Sequence, residues 1–138
     1  MPNQVTVFLE NEQGRLAALC RTLASAGVNM SALTVADTAS YGVARLLVDE
    51  PEAAAEALLD AGYRAKLTDV SAVEIPNVVG SLAPLLEAFD EAGLNLEYAY
   101  CFGSGQETVT VVFRVENPEG IAEIVARLGY RLLHSADL

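Results

Sequence analysis

Apolar side chains in this chain change their period in a fixed order, and then do so a second time. Val5, Val7 and Leu9 alternate with Thr6, Phe8 and Glu10, the period of two expected of a strand with unlike faces. Leu16, Leu19, Cys20 and Leu23 follow at helical spacing, and Gly27 stands where a left-handed residue ends a helix. Strands are expected from about Val28 and again from Val43 to Val48. Pro51 then opens a second helix, with Glu50 as a candidate cap and Ala57 and Leu58 on its apolar stripe. A last strand begins near Tyr63.

The second pass lies 66 residues on. Asn11, Gly14 and Leu16 fall on Asn77, Gly80 and Leu82; Leu19 falls on Leu85, Leu23 on Phe89, and the segment Ala26 to Met30 on Ala92 to Leu96. Beyond the next turn the offset becomes 67, so that Val48 to Pro51 fall on Val115 to Pro118 and Gly62 to Arg64 on Gly129 to Arg131. The added residue is expected in the turn Thr38 to Gly42 against Gly103 to Gly105, where length changes cost little. In the second copy Val109, Val111, Phe113 and Val115 are the inward positions and Thr108 and Thr110 the outward ones; Asn117 is the candidate cap before Pro118, and Ile121, Ile124 and Val125 form the helix stripe.

Strand, helix, strand, strand, helix, strand is the ferredoxin-like split arrangement, with two helices on one face of an antiparallel sheet. The fold class is therefore α+β, two tandem βαββαβ units packed side by side, with boundaries at residues 1–69 and 70–138 and no flexible linker near Asp69 and Val70. A unit of this size buries only ~60% of its extended-chain surface and is marginal alone. A pseudo-twofold pair that dimerises again is the expected assembly.

Composition narrows the function. The 138 residues are 52% apolar, far from a disordered composition, and 19 acidic against 8 basic side chains leave a formal charge of −11. Such a surface has no cationic stripe to displace counterions from a phosphate backbone, so neither nucleic acid nor an anionic membrane is an expected partner. Cys20 and Cys101 form neither a close motif nor a disulfide framework. The start of the chain lacks a basic and then apolar leader, and no stretch approaches the ~20 apolar residues of a membrane span. A reduced, cytoplasmic protein without anchor is expected. No His cluster, close Cys pair or acidic loop of ligand spacing suggests a metal, and no cofactor is expected.

The repeated turn carries the chemistry. Asn-x-x-Gly-x-Leu, followed after about 13 residues by Gly-Val/Leu-Asn, occurs at Asn11, Gly14, Leu16, Gly27 and Asn29 and again at Asn77, Gly80, Leu82, Gly93 and Asn95. Glycine lets backbone amides approach a ligand, and the helix that starts there presents unpaired N–H groups to a carboxylate. Asparagine offers a donor and an acceptor without net charge. A competing reading makes Asn11 and Asn77 simple helix caps, and Asn29 and Asn95 residues that tolerate the backbone after glycine.

On these residues each unit resembles the ACT domain, the small-molecule regulatory module of many amino-acid biosynthetic enzymes, and the resemblance covers nearly the whole chain as two copies. It implies a free amino acid, or a related metabolite, as ligand. In serine-regulated members of that family both matching asparagines touch the effector, the loop Asn from one domain and the strand Asn from its neighbour. The resemblance thus pairs Asn11 with Asn95 and Asn77 with Asn29, with Gly14, Arg15 and Leu16 or Gly80, Ser81 and Leu82 giving backbone contacts. Those members carry a histidine two residues before the loop Asn; here Leu9 and Ile75 stand there. The loops also differ from each other, Glu12, Gln13 and Arg15 against Val78, Val79 and Ser81, so unequal pockets are expected.

The leading functional expectation is a non-catalytic sensor that binds an L-amino acid, forms a homodimer and reports to a protein partner. The alternative is a docking module that modulates a partner enzyme or regulator without a ligand of its own. An enzyme is disfavoured, because the motif turns hold only Glu10, Glu12 and Arg15 in one copy and Glu74 in the other as titratable groups. Arg15 and Arg21 read as a solvated face, Cys20 as core, Cys101 as more accessible, and His134 as a surface or packing residue. Tyr41, Tyr98 and Tyr100 are candidates for an aromatic pocket, with packing in the sheet as the simpler role for the last two.

Overall fold

The computed structural model describes residues 1–37, 40–103 and 107–138; the expected length change between the copies falls largely on residues outside these. Two compact units are present, Asn3–Thr68, and Asp69–Leu138 together with Met1–Pro2. The first two residues join the second unit through the Val70 N–H, which donates to the Pro2 carbonyl at 3.0 Å.

The first unit runs β1 (Asn3–Glu10), α1 (Arg15–Ser25), β2 (Met30–Asp37), β3 (Tyr41–Val48), α2 (Pro51–Asp60) and β4 (Arg64–Asp69, whose last residue falls in the second unit). The second repeats it as β5 (Ser71–Pro76), α3 (Leu82–Glu91), β6 (Leu96–Phe102), β7 (Thr108–Val115), α4 (Ile121–Arg127) and β8 (Arg131–Leu133), followed by a 3-10 turn at Ser135–Asp137. Sheet order is β2-β3-β1-β4 in one unit and β6-β7-β5-β8 in the other. The two copies are therefore the same split βαββαβ fold.

Register explains the core. Val5 lies opposite Leu46 and Val7 opposite Ala44, and these pack with Leu9, Leu19, Leu23, Ala54 and Leu58 between sheet and helices. In the second unit Val73, Ile75, Val111, Phe113 and Val115 meet Leu85, Phe89, Ile121, Ile124 and Val125. Both first helices end as their glycines imply: the Val28 N–H donates to the Leu23 carbonyl (3.0 Å) and the Leu94 N–H to that of Phe89 (2.9 Å).

Four local expectations need correction. Thr110 lies on the face turned from the helices, as expected, but is buried there instead of exposed; Thr6 and Gln4 are likewise buried on that face of β1, where Gln4 Nε2 donates to Thr6 Oγ1 at 3.0 Å and Thr6 shares a 2.8 Å bond with Thr68. Pro118 precedes α4 by three residues instead of opening it, and Asn117 accepts a turn bond from the Glu119 N–H (3.2 Å). Glu50 makes no side-chain cap on α2. Leu16, in the first turn of α1, is not a core residue and stays 39% exposed, while Leu19 and Leu23 of the same stripe are buried.

Candidate ligand-binding sites

In each unit the turn between first strand and first helix is built the same way. Gly14 has φ +86° and Gly80 φ +84°, the left-handed region where a side chain costs strain, and open space surrounds the position a Cβ would take in both. Gly14 is the N-cap of α1, and Ser81 that of α3, with no side-chain cap on either helix. Asn11 and Asn77 are thus not capping residues. Their own N–H groups donate to Ser40 (3.3 Å) and Glu107 (2.8 Å), which ties each loop to the strand entering beside it.

Asn11 is exposed and borders a pocket of about 160 Å³ with Leu9, Glu10, Glu12, Arg15, Leu16, Val35, Asp37 and Gly42. Arg15 contacts Glu10 at 3.4 Å and Glu12 at 3.7 Å and is half exposed. Amides in the first turn of α1 have no partner within the helix, by its geometry. Around Asn77 the loop carries exposed Val78 and Val79 in place of charges. Ser81 is buried: its Oγ donates to the Val78 carbonyl at 2.9 Å, and its carbonyl accepts the Tyr130 hydroxyl at 2.6 Å. Leu82 is half-buried against the second core.

The strand asparagines sit elsewhere. Asn29 follows α1, an 11-residue helix from Asn11, so some ~16 Å of rise separates the two ends. Its N–H donates to Asp49 Oδ1 at 2.9 Å. Asn95 borders a pocket of about 320 Å³ with Gly93, Leu94, Glu97, Val115, Glu116 and Asn117. Neither unit alone brings its loop and strand asparagines together.

The ACT domain pair family matches residues 2–138. This chain belongs to that family. No curated protein matches its sequence. Among solved structures it is similar to protein BT0572 from Bacteroides thetaiotaomicron, with 34% identity and TM-score 0.91 over 99% of this chain and 94% of that one. In fold it is also similar to the regulatory subunit of aspartate kinase from Thermus thermophilus in its ligand-free form (22% identity, TM-score 0.68, 91% of each chain). The corresponding subunit from Thermus flavus is alike in fold at 20% identity, with TM-score 0.66 and 92% of each chain covered.

Seen as an ACT pair, the chain offers each motif asparagine on an exposed corner. The remaining candidates fall away from them. Cys20 is half-buried on α1 and Cys101 exposed on β6; desolvation raises the Cys101 thiol, opposite to the shift of an activated thiolate. His134 is exposed, 3.6 Å from Asp137. Tyr98 and Tyr100 lie on the sheet face turned from the helices, opposite Arg114 and Val112.

One feature of the ACT corner was not anticipated. A hollow of about 590 Å³ lies among Phe8, Leu9, Glu10, Arg15, Tyr41, Tyr63 and Arg64. The signal was present in the repeat: Phe8 and Tyr41 stand where the second copy has Glu74 and Thr108, and a comparison of the copies at those two positions would have found it.

Proposed function

We propose that this ACT pair is a non-catalytic regulatory protein that binds a free L-amino acid and reports it to a protein partner. The carrying observation is the corner itself: a left-handed glycine at the start of the helix, with an exposed asparagine three residues before it, in both copies. The pocket beside Asn11 has about 160 Å³, below the ~300–1,000 Å³ of a complete small-molecule site. We read it as half a site. The loop half is Asn11 with Gly14, Arg15 and Leu16 or Asn77 with Gly80, Ser81 and Leu82; the Arg15 and Ser81 N–H groups already donate within their loops, to Glu12 and Val78 at 3.3 Å each, which leaves the other amides of the helix start for a carboxylate. The strand half, Asn29 or Asn95, has carboxylates beside it, Asp49 in one copy and Glu97 and Glu116 in the other, which suit an ammonium.

A ligand acts as a regulator only through different affinities for two states. The fold likeness to aspartate kinase regulatory subunits supports such a role. A docking role is favoured by one observation, the apolar flank of β2: Leu33 and Val35 share the helix-side face with Leu46 and Ala44 yet stay 40% and 44% exposed.

A thermal-shift screen against the common L-amino acids separates the two. A ligand at ~100 times its dissociation constant adds ~2.7 kcal/mol to the folded state. One selective amino acid is expected to raise the melting temperature, and Asn11→Ala or Asn77→Ala to abolish its effect. No shift with any amino acid favours docking.

A further inference from the structure

The hollow beside the first unit's corner carries a chemistry of its own. It lies where β1 ends, α2 gives way to β4 and β3 begins, and adjoins the pocket beside Asn11 through Leu9, Glu10 and Arg15. Three of its walls are aromatic: Phe8, Tyr41 and Tyr63. Phe8 and Tyr41 meet edge to face with centroids 6.3 Å apart, yet remain 41% and 47% exposed. Rings held together but left in contact with water around a concavity are a surface on which another flat group gains by packing.

Its charge is equally distinctive. Two guanidinium groups, Arg15 and Arg64, face one carboxylate, Glu10, in a chain whose acids outnumber its bases 19 to 8. The Arg64 guanidinium carbon stands 5.5 Å from the centre of the Phe8 ring, a cation–π contact that places its donors beside an apolar face. Arg15 is held by long, half-exposed ion pairs to Glu10 and Glu12. Such pairs are weak, and the side chain exchanges partners readily.

The second unit supplies an internal control. Arg131 occupies the place of Arg64, but Glu74 stands where Phe8 does, 3.9 Å from that arginine, and Asp137 holds its other nitrogen at 3.0 Å. Tyr130, the counterpart of Tyr63, is bonded to Ser81. There the cation is answered by acids of its own unit; in the first unit it is set over a ring.

We propose that this hollow is a second ligand site, specific to the first ACT unit, for a small aromatic carboxylate. The carboxylate pairs with Arg64 and Arg15, and the ring packs on Phe8 and Tyr41. The site uses none of the motif asparagines, though it shares Arg15 with the loop half proposed above.

The test is a titration of the full chain with 3-phenylpropionate, followed by amide NMR shifts and calorimetry. Saturable shifts are expected at Phe8 to Glu10, Tyr41 and Gly62 to Arg64. Arg64→Gln removes a charge-assisted contact and is expected to weaken binding about tenfold or more. Phe8→Leu weakens phenylpropionate while leaving any effect of propionate unchanged. Arg131→Gln and Asn11→Ala leave the affinity unaltered. The proposal is overturned by absence of saturable binding in the millimolar range, by full affinity in Arg64→Gln, or by loss of binding in Asn11→Ala, which would move the probe to the loop site.

Discussion

The same corner is open in one ACT unit and closed in the other. In the second unit Tyr130 donates its hydroxyl to Ser81, Ser81 folds its own side chain back on the loop, and the exposed Arg131 pairs with Asp137 at 3.0 Å and more loosely with Glu74 at 3.9 Å. The first unit keeps the backbone path, with a left-handed glycine at the same place, but puts Arg15 where Ser81 is and Phe8 where Glu74 is. A handful of side chains thus separates a corner tied down by internal bonds from one lined with exposed rings and cations. Duplication has preserved the frame and released the surface of one copy.

The comparison breaks first if the cores are not alike. Leu23 and Phe89 fill the same place on α1 and α3, both almost fully buried, and Phe89 packs on Phe113 at 5.1 Å between centroids. Phe89→Ala is expected to lose about 3–5 kcal/mol and Leu23→Ala about 2–5 kcal/mol in urea unfolding. A loss below ~1 kcal/mol for either would mean that its cavity had collapsed or that the residue is not a core wedge.

A smaller effect sharpens the contrast at the corner. The Tyr130 hydroxyl is part-buried and bonded at 2.6 Å, so Tyr130→Phe should cost about 1 kcal/mol. The Tyr63 N–H donates to the Leu58 carbonyl at 2.9 Å, but its hydroxyl shows no bond among the described residues, and Tyr63→Phe should leave stability unchanged within ~0.5 kcal/mol. Equal costs would mean that the first corner is closed as well.

How much of this was legible in the sequence follows from how local each feature is. The strand alternation of Val5, Val7 and Leu9 and the stripe of Leu85 and Phe89 are short-range signals that needed only the right period, and the repeat doubled them. Thr110 reads as outward because it alternates with Val109 and Val111, whereas burial of a sheet's second face depends on packing that no period encodes. Leu16 differs for the opposite reason: its spacing is helical, but spacing does not tell which turn of a helix is covered, and the first turn of α1 leaves it exposed. The motif asparagines were found from their spacing, and their distance apart in one unit follows from the length of α1. The rings and cations of the hollow come from β1, β3, α1 and the start of β4, and only folding assembles them.

The finest test concerns the Asp137 pair with Arg131. The His134 N–H donates to Asp137 Oδ2 at 2.8 Å, and this bond, with the charges of Arg131 and His134, holds the Asp137 carboxyl below its usual range. A carboxylate whose value is lower in the folded state binds fewer protons there than in the unfolded chain between the two values. Its contribution is therefore complete above the unfolded value, ~pH 4, and is lost as pH falls through the folded one. Asp137→Asn should accordingly be less stable than the parent at neutral pH, with the gap narrowing below ~pH 4 and closing in stronger acid. A gap that stayed constant over that range would show the anion to be unimportant, and with it the view that the second corner is held shut by charge.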